Sequence, residues 1–136
     1  YNYKETDFFD EIKKIEKIGI DIILDYIGGD YINKNINLLK SDGKLINIGF
    51  LNGSQVSINL MKIMLKRLTI TGSTLRIRDK TYKAKILNDL KKIVFPNFEN
   101  GKIKCYIDSV FKLKDVVSSH KYLESGGHIG KIVLEV

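Results

Sequence analysis

Two short runs constrain this chain more than anything else in it: IDIILDYI at residues 20–27 and KLINIGF at residues 44–50. Both are rich in β-branched residues and almost continuously apolar. A strand covered on both faces reads this way, whereas a strand with one wet face alternates. Between the runs, Asp30 is placed to cap a helix whose inward stripe is Ile32, Ile36 and Leu39. Asp42-Gly43 is a turn signal. Strand, helix and strand in that order form a crossover unit, because parallel neighbours cannot be joined by a hairpin.

The remaining sequence repeats the alternation. Phe8, Ile12 and Ile15 recur at helical spacing behind Thr6 or Asp7 as N-cap, and Gly19 stops that helix. NGSQVSIN is a polar loop, and Asn59 caps a helix through Leu65. LTITGSTLR is a third β-rich run. Asp79 opens a longer helix with Tyr82, Ile86, Leu90 and Ile93 on one face, which Pro96 ends or follows. YIDSVFKL reads as a fourth strand, KDVVSSHKYLESG as a last helix and GKIVLEV as a final strand. The expected fold class is α/β: a partial Rossmann-like, doubly wound parallel sheet with helices on both faces. The 136 residues suit a single domain. In such sheets ligands bind beyond the carboxyl ends of the strands. That directs attention to Asp25–Asp30, Gly49–Gly53 and Gly72–Arg76.

Composition narrows the function classes. The net charge is +7, from 23 Lys and Arg against 16 Asp and Glu. The basic residues are spread along the chain and no aromatic RNA-binding motif accompanies them, so charge serves solubility before nucleic acid. One cysteine, Cys105, rules out an internal disulfide and fits a reducing, cytoplasmic compartment. No apolar run approaches the roughly 18 residues of a membrane span. Cys105, His120 and His128 are too isolated to argue a metal site or a cysteine–histidine pair.

At the strand ends the sequence becomes recognisable. NYKETDF, GIDIILDYIGG, LLKSDGKLINIGFLNG, LKRLTITGSTLRIRDK and HKYLESGGHIGKIVLEV occur in this order across nearly the whole chain. Together they resemble the zinc-independent quinone oxidoreductase branch, zeta-crystallin-like, of the medium-chain dehydrogenase/reductase superfamily. The resemblance covers only the back half of such an enzyme. No G-x-G-x-x-G run is present, so the first βαβ unit, with its helix N-terminus for the pyrophosphate, is expected upstream. The three β-rich runs then correspond to strands four, five and six of the order 3-2-1-4-5-6. Residues 131–136 correspond to a tail strand that returns to a catalytic domain absent here.

The resemblance also implies site residues, all for cofactor binding. Tyr3 stands where relatives place an aromatic residue or histidine beside the adenine ribose; otherwise it is a plain strand-end tyrosine. Gly28 and Gly29 lie at the mouth that passes the adenosine side of the cofactor, or simply turn the chain. Ile48, Gly49 and Phe50 line the path toward the nicotinamide riboside, where a side chain at Gly49 would block the groove. Ser73, Thr74 and Leu75 correspond to the segment that meets the carboxamide through backbone groups. Lys131 could neutralise a phosphate or stay solvated, and Arg76 and Arg78 could face a phosphate, a partner or solvent.

The implied function is an NADPH-dependent transfer of hydride to a quinone or another conjugated carbonyl. This segment forms one wall of the cofactor groove and supplies no catalytic acid, base or nucleophile. The resemblance also implies a homodimer through the strand around Thr69–Leu75. Two alternatives stay open: an enoyl-thioester reductase of the same superfamily, and a non-enzymatic α/β interaction module.

Overall fold

The computed structural model describes residues 1–136. The chain divides into two compact units, Tyr1–Arg78 and Asp79–Val136.

The first unit begins with α1 (Phe8–Ile15), whose N-cap Asp7 accepts the amide of Phe9. There follow β1 (Ile20–Asp25), α2 (Tyr31–Leu38), β2 (Leu39–Asn47), α3 (Leu60–Lys66) and β3 (Thr69–Gly72). The three strands form one parallel sheet in the order β1-β2-β3. This is the α/β class expected from the alternation.

The Asp42-Gly43 turn does not separate two elements. It lies inside β2 as an interruption of the ladder: Ile20 pairs with Leu39, and the next pair is Ile22 with Lys44. Asp42 sits at φ 63°, a left-handed conformation that asparagine and aspartate tolerate better than most residues. Arg67, at φ 52°, ends α3 and grips the Asp42 carboxylate with two nitrogens at 2.8 and 2.7 Å.

The core of this unit is Ile32, Ile36, Leu39, Leu45 and Leu68, with Ile23, Ile58 and Ile63 against it. It joins α2, β2 and β3's entry, so the helical stripe read from the sequence is the buried one. Ile36, Leu39 and Leu45 are at most 1% exposed. Burial at that level is worth roughly 1.5–3 kcal/mol per side chain. Lys66 fastens α3 to this core. Its ammonium donates to the carbonyls of Asn37 at 3.0 Å and Ile36 at 3.4 Å, which the end of α2 leaves without helical partners, and to that of Leu39 at 2.6 Å at the start of β2.

One expectation changes. β1 reads as a strand covered on both faces, yet Ile22 and Leu24 are 58% and 61% exposed. Residues two apart share a face of a strand, so Ile22 and Leu24 mark one face of β1 left open, and β1 is also a terminal strand of its sheet.

The second unit contains α4 (Lys80–Ile93), α5 (Phe95–Glu99), β4 (Ile107–Lys112), a short 3₁₀ turn (Leu113–Asp115), α6 (Val116–Ser125) and β5 (Lys131–Glu135). Asp79 caps α4 by accepting the amide of Tyr82 at 2.7 Å. Pro96 sits in the first turn of α5, where its missing N–H costs nothing. The final run, GKIVLEV, pairs in parallel with β4, and the two make a sheet of their own.

Candidate functional site

The strand ends of the first unit are stitched together by backbone hydrogen bonds that continue past the sheet. Ile48 donates to the carbonyl of Asp25 at 2.8 Å, and Ser73 donates to that of Asn47 at 2.9 Å. Leu51 donates to Tyr26 at 3.1 Å and Asn52 to Ile27 at 2.7 Å. Parallel strands emerge on one side of a sheet, so the segments after β2 and β3 lie side by side. Between them is an open cleft of about 740 Å³.

This cleft gathers Ile48, Gly49 and Phe50 from the end of β2 with Ser73 and Thr74 from the end of β3. Five of the residues singled out in the sequence therefore share one concavity. Ile70 and Ile77 add apolar wall, and Arg78 is its one charged lining residue. Such a cleft offers apolar surface, backbone polar groups and hydroxyls for holding a flat, polar-edged ring. It presents no carboxylate, imidazole or thiol to serve as acid, base or nucleophile.

The other candidates lie elsewhere. Leu75 follows the cleft but does not line it, and is 53% exposed. Tyr3 is exposed in a separate, smaller depression with Asp7, Phe8, Tyr31 and Lys34. There the Lys34 ammonium pairs with Asp7 at 2.6 Å, and the Phe8 and Tyr31 rings meet at 4.9 Å. Lys131 belongs to the second unit, where its amide donates to Tyr106 at 2.8 Å.

The glycines have a local reason for being glycine. Gly28 and Gly29 sit at φ 71° and 53°. A Cβ on Gly28 would lie 2.6 Å from the carbonyl oxygen of Gly53, and one on Gly29 would lie 2.5 Å from that of Asn52. Their open side is filled by this protein's own loop after β2. A Cβ on Gly49 would meet the Tyr26 carbonyl at 3.3 Å, so its side-chain direction points at the neighbouring strand end.

Two polar residues under the site were not singled out for a role in the sequence. Asp25 is 4% exposed. One carboxylate oxygen accepts the amides of Ile27 at 2.7 Å and Gly28 at 3.2 Å, and the other accepts the Asn35 side chain at 3.2 Å. Asp25 thus locks the turn that presents the glycine pair. Asn47 lines the cleft and has a buried Oδ1 without a hydrogen-bond partner. The legible signal for both was a polar residue ending an apolar strand.

With this geometry in view, the relatives decide the family. The family profile described as zinc-binding dehydrogenase matches residues 1–134. The chain belongs to that family. It is a segment of the medium-chain dehydrogenase/reductase kind, with the Rossmann-like portion's α/β fold.

Among curated proteins it is 28% identical over 149 aligned residues to the zebrafish (Danio rerio) synaptic vesicle membrane protein VAT-1 homolog. That alignment covers 98% of this chain and 30% of the relative. Among solved structures, a CurF ER cyclopropanase from the curacin A biosynthetic pathway is 30% identical, with a TM-score of 0.72, covering 94% of this chain and 38% of that one. An NAD-dependent alcohol dehydrogenase superposes with a TM-score of 0.74 at 24% identity, covering 98% and 36%, and this likeness concerns the fold. The chain spans about a third of the length of the relatives it matches.

The family's name raises zinc. No three His, Cys, Asp or Glu side chains come together here as metal ligands, and the lone cysteine is exposed. A zinc donor set is therefore not assembled from these residues. No helix is long and apolar enough to cross a membrane.

Proposed function

We propose that this chain forms one wall of the nicotinamide-cofactor groove of a medium-chain reductase that uses NADPH and reduces a quinone or another conjugated carbonyl. The observation that carries the reading is the cleft at the carboxyl ends of β2 and β3, where Ile48–Phe50 and Ser73–Thr74 converge. Ligands of open parallel sheets bind at this end. When bound, the cofactor supplies the hydride chemistry, and the protein supplies position and polarity. On this reading the apolar walls and backbone groups of the cleft hold the nicotinamide side. Gly28, Gly29 and Tyr3 belong to the adenosine side, and Leu75 to its margin. β3, a terminal strand of the sheet, is proposed to pair with its counterpart in a second copy.

The test is a steady-state assay of the parent-length protein with NADPH against simple quinones, enones and enoyl thioesters. Quinone or enone reduction is the expected outcome. Turnover confined to enoyl thioesters would move the assignment to that branch. An absence of any cofactor binding by the parent protein would overturn the oxidoreductase reading in favour of an interaction module.

A further inference from the structure

Three steps in this chain place an aspartate or asparagine directly before a glycine: Asp42-Gly43, Asn52-Gly53 and Asn100-Gly101. At such a step the glycine amide nitrogen can reach the preceding side-chain carbonyl, because glycine carries no Cβ to obstruct the approach. Sequence alone does not rank the three. The fold does.

Asp42-Gly43 is held shut. The Arg67 guanidinium grips the Asp42 carboxylate at 2.8 and 2.7 Å, and Gly43 is buried inside β2. Asn100-Gly101 is held as well. The Asn100 Oδ1 accepts the amide of Lys102 at 3.1 Å, and the Gly101 amide donates to the Phe98 carbonyl at 3.1 Å. Both the side chain and the nitrogen that would attack it are thus occupied.

Asn52-Gly53 differs on each count. Both residues are exposed, and the Asn52 side chain makes no hydrogen bond. Its nitrogen lies 2.9 Å from where a Cβ on Gly29 would be, above a backbone with no side chain to hold it. The Gly53 amide donates to the Phe50 carbonyl at 3.3 Å, beyond the usual range of about 2.7–3.2 Å. Gly53 stands at φ 93° with nothing within 4 Å of its side-chain direction, which leaves room for a ring to close.

We propose that Asn52 is a site of spontaneous deamidation and isomerisation, modified faster than Asn100 in the folded protein. The Gly53 nitrogen attacks Cγ of Asn52. A nitrogen–carbon bond forms, the Cγ–Nδ2 bond breaks, and ammonia leaves with the Gly53 amide proton. Water then opens the five-membered imide. Opening at Cγ gives aspartate. Opening at the main-chain carbonyl carbon gives isoaspartate, whose chain runs through Cβ. The site stands on the loop's own geometry and does not depend on the cofactor reading.

The modification has a structural consequence. The Asn52 amide donates to Ile27 at 2.7 Å, and the Gly53 carbonyl accepts Gly29 at 2.9 Å, so two bonds bracket the reacting step. Isoaspartate lengthens the backbone between them by one carbon–carbon bond, about 1.5 Å. Both bonds can no longer be kept, and the Gly29–Gly53 contact is the one expected to open.

The 136-residue chain is aged at mildly alkaline pH, once in native buffer and once in guanidinium chloride. Peptides carrying the three steps are read by mass spectrometry for the amide-to-acid change and by isoaspartate-specific methylation. In native buffer Asn52 is expected to react about fivefold faster than Asn100, which must first release a neutral hydrogen bond. In denaturant the two rates are expected to converge. Hydrogen exchange at the Gly29 amide is expected to quicken in proportion to isoaspartate at Asn52. Asn100 reacting as fast as Asn52 in native buffer, a rate ratio that denaturant leaves unchanged, or an Asn52 that reacts only in denaturant would each overturn the proposal. Gly29 exchange independent of isoaspartate content would overturn the opening of the loop contact.

Discussion

The amide of Gly29 donates to the carbonyl of Gly53 across 2.9 Å, and a Cβ on Gly29 would stand 2.5 Å from the neighbouring Asn52 carbonyl. Two strand-end loops are therefore in backbone contact at the glycine pair. The glycine pair packs against the protein's own loop after β2.

This contact predicts an ordered pair of substitutions. Gly29→Ala adds both left-handed strain and a backbone clash, and should cost about 2–4 kcal/mol. Gly53→Ala, at φ 93° with nothing within 4 Å of the added carbon, should cost only the strain, about 1–2 kcal/mol. Urea unfolding midpoints measure both. Equal costs would show that close approach contributes nothing.

Lys66 should carry more stability than any surface ion pair of this unit. Its ammonium donates to three carbonyls around the end of α2, although burial pushes its pKa below the ordinary lysine value. Lys66→Met strands those carbonyls and should cost about 1–3 kcal/mol. Arg67→Ala, which removes the exposed Asp42 pair, should move the midpoint less, because solvent screens that pair. A reversed order would refute this ranking.

Acid should weaken the second unit through Asp108. The Ile129 amide first, and then the Tyr122 hydroxyl, hold its carboxyl below the ordinary value of 3.8. A depressed folded pKa gives stability that is present above the unfolded value and is lost as pH falls through the folded one. Asp108→Asn should therefore be less stable than wild type at neutral pH, with the gap closing in acid. Unfolding curves followed by the His128 signal give the comparison, and a gap undiminished near pH 2 would contradict it.

Filling the cleft should separate binding from folding. Ile77 lines it and is 81% exposed, so Ile77→Trp should leave the unfolding midpoint unchanged. In the parent-length protein the same change should weaken NADPH about tenfold, by steric exclusion. Unaltered affinity would place the cofactor elsewhere.

Sedimentation equilibrium addresses the terminal strand β3. A dimer mass for the parent-length protein is expected, since an unpaired edge invites strand pairing. A strictly monomeric, folded protein would refute pairing there.

Much of this was legible in the residues. The buried stripe of Ile32 and Ile36, and the caps Asp7, Asn59 and Asp79, follow from local spacing and side-chain chemistry and stand as read; Leu39 is buried with them but opens β2. Asp30, by contrast, precedes α2 without a side-chain cap bond. The family motifs pointed to the strand ends, and five of the ten cofactor candidates line one cleft there.

Other features needed the fold. The sequence by itself determined the alternation of elements, because apolar periodicity and caps act within a few residues. Only the tertiary structure decided that Asp42-Gly43 interrupts a strand. It also decided that Lys66 closes the end of α2. Each depends on which distant backbone arrives beside a residue. For Gly28 and Gly29 that arrival is the Asn52–Gly53 loop, whose carbonyls leave no room for a side chain.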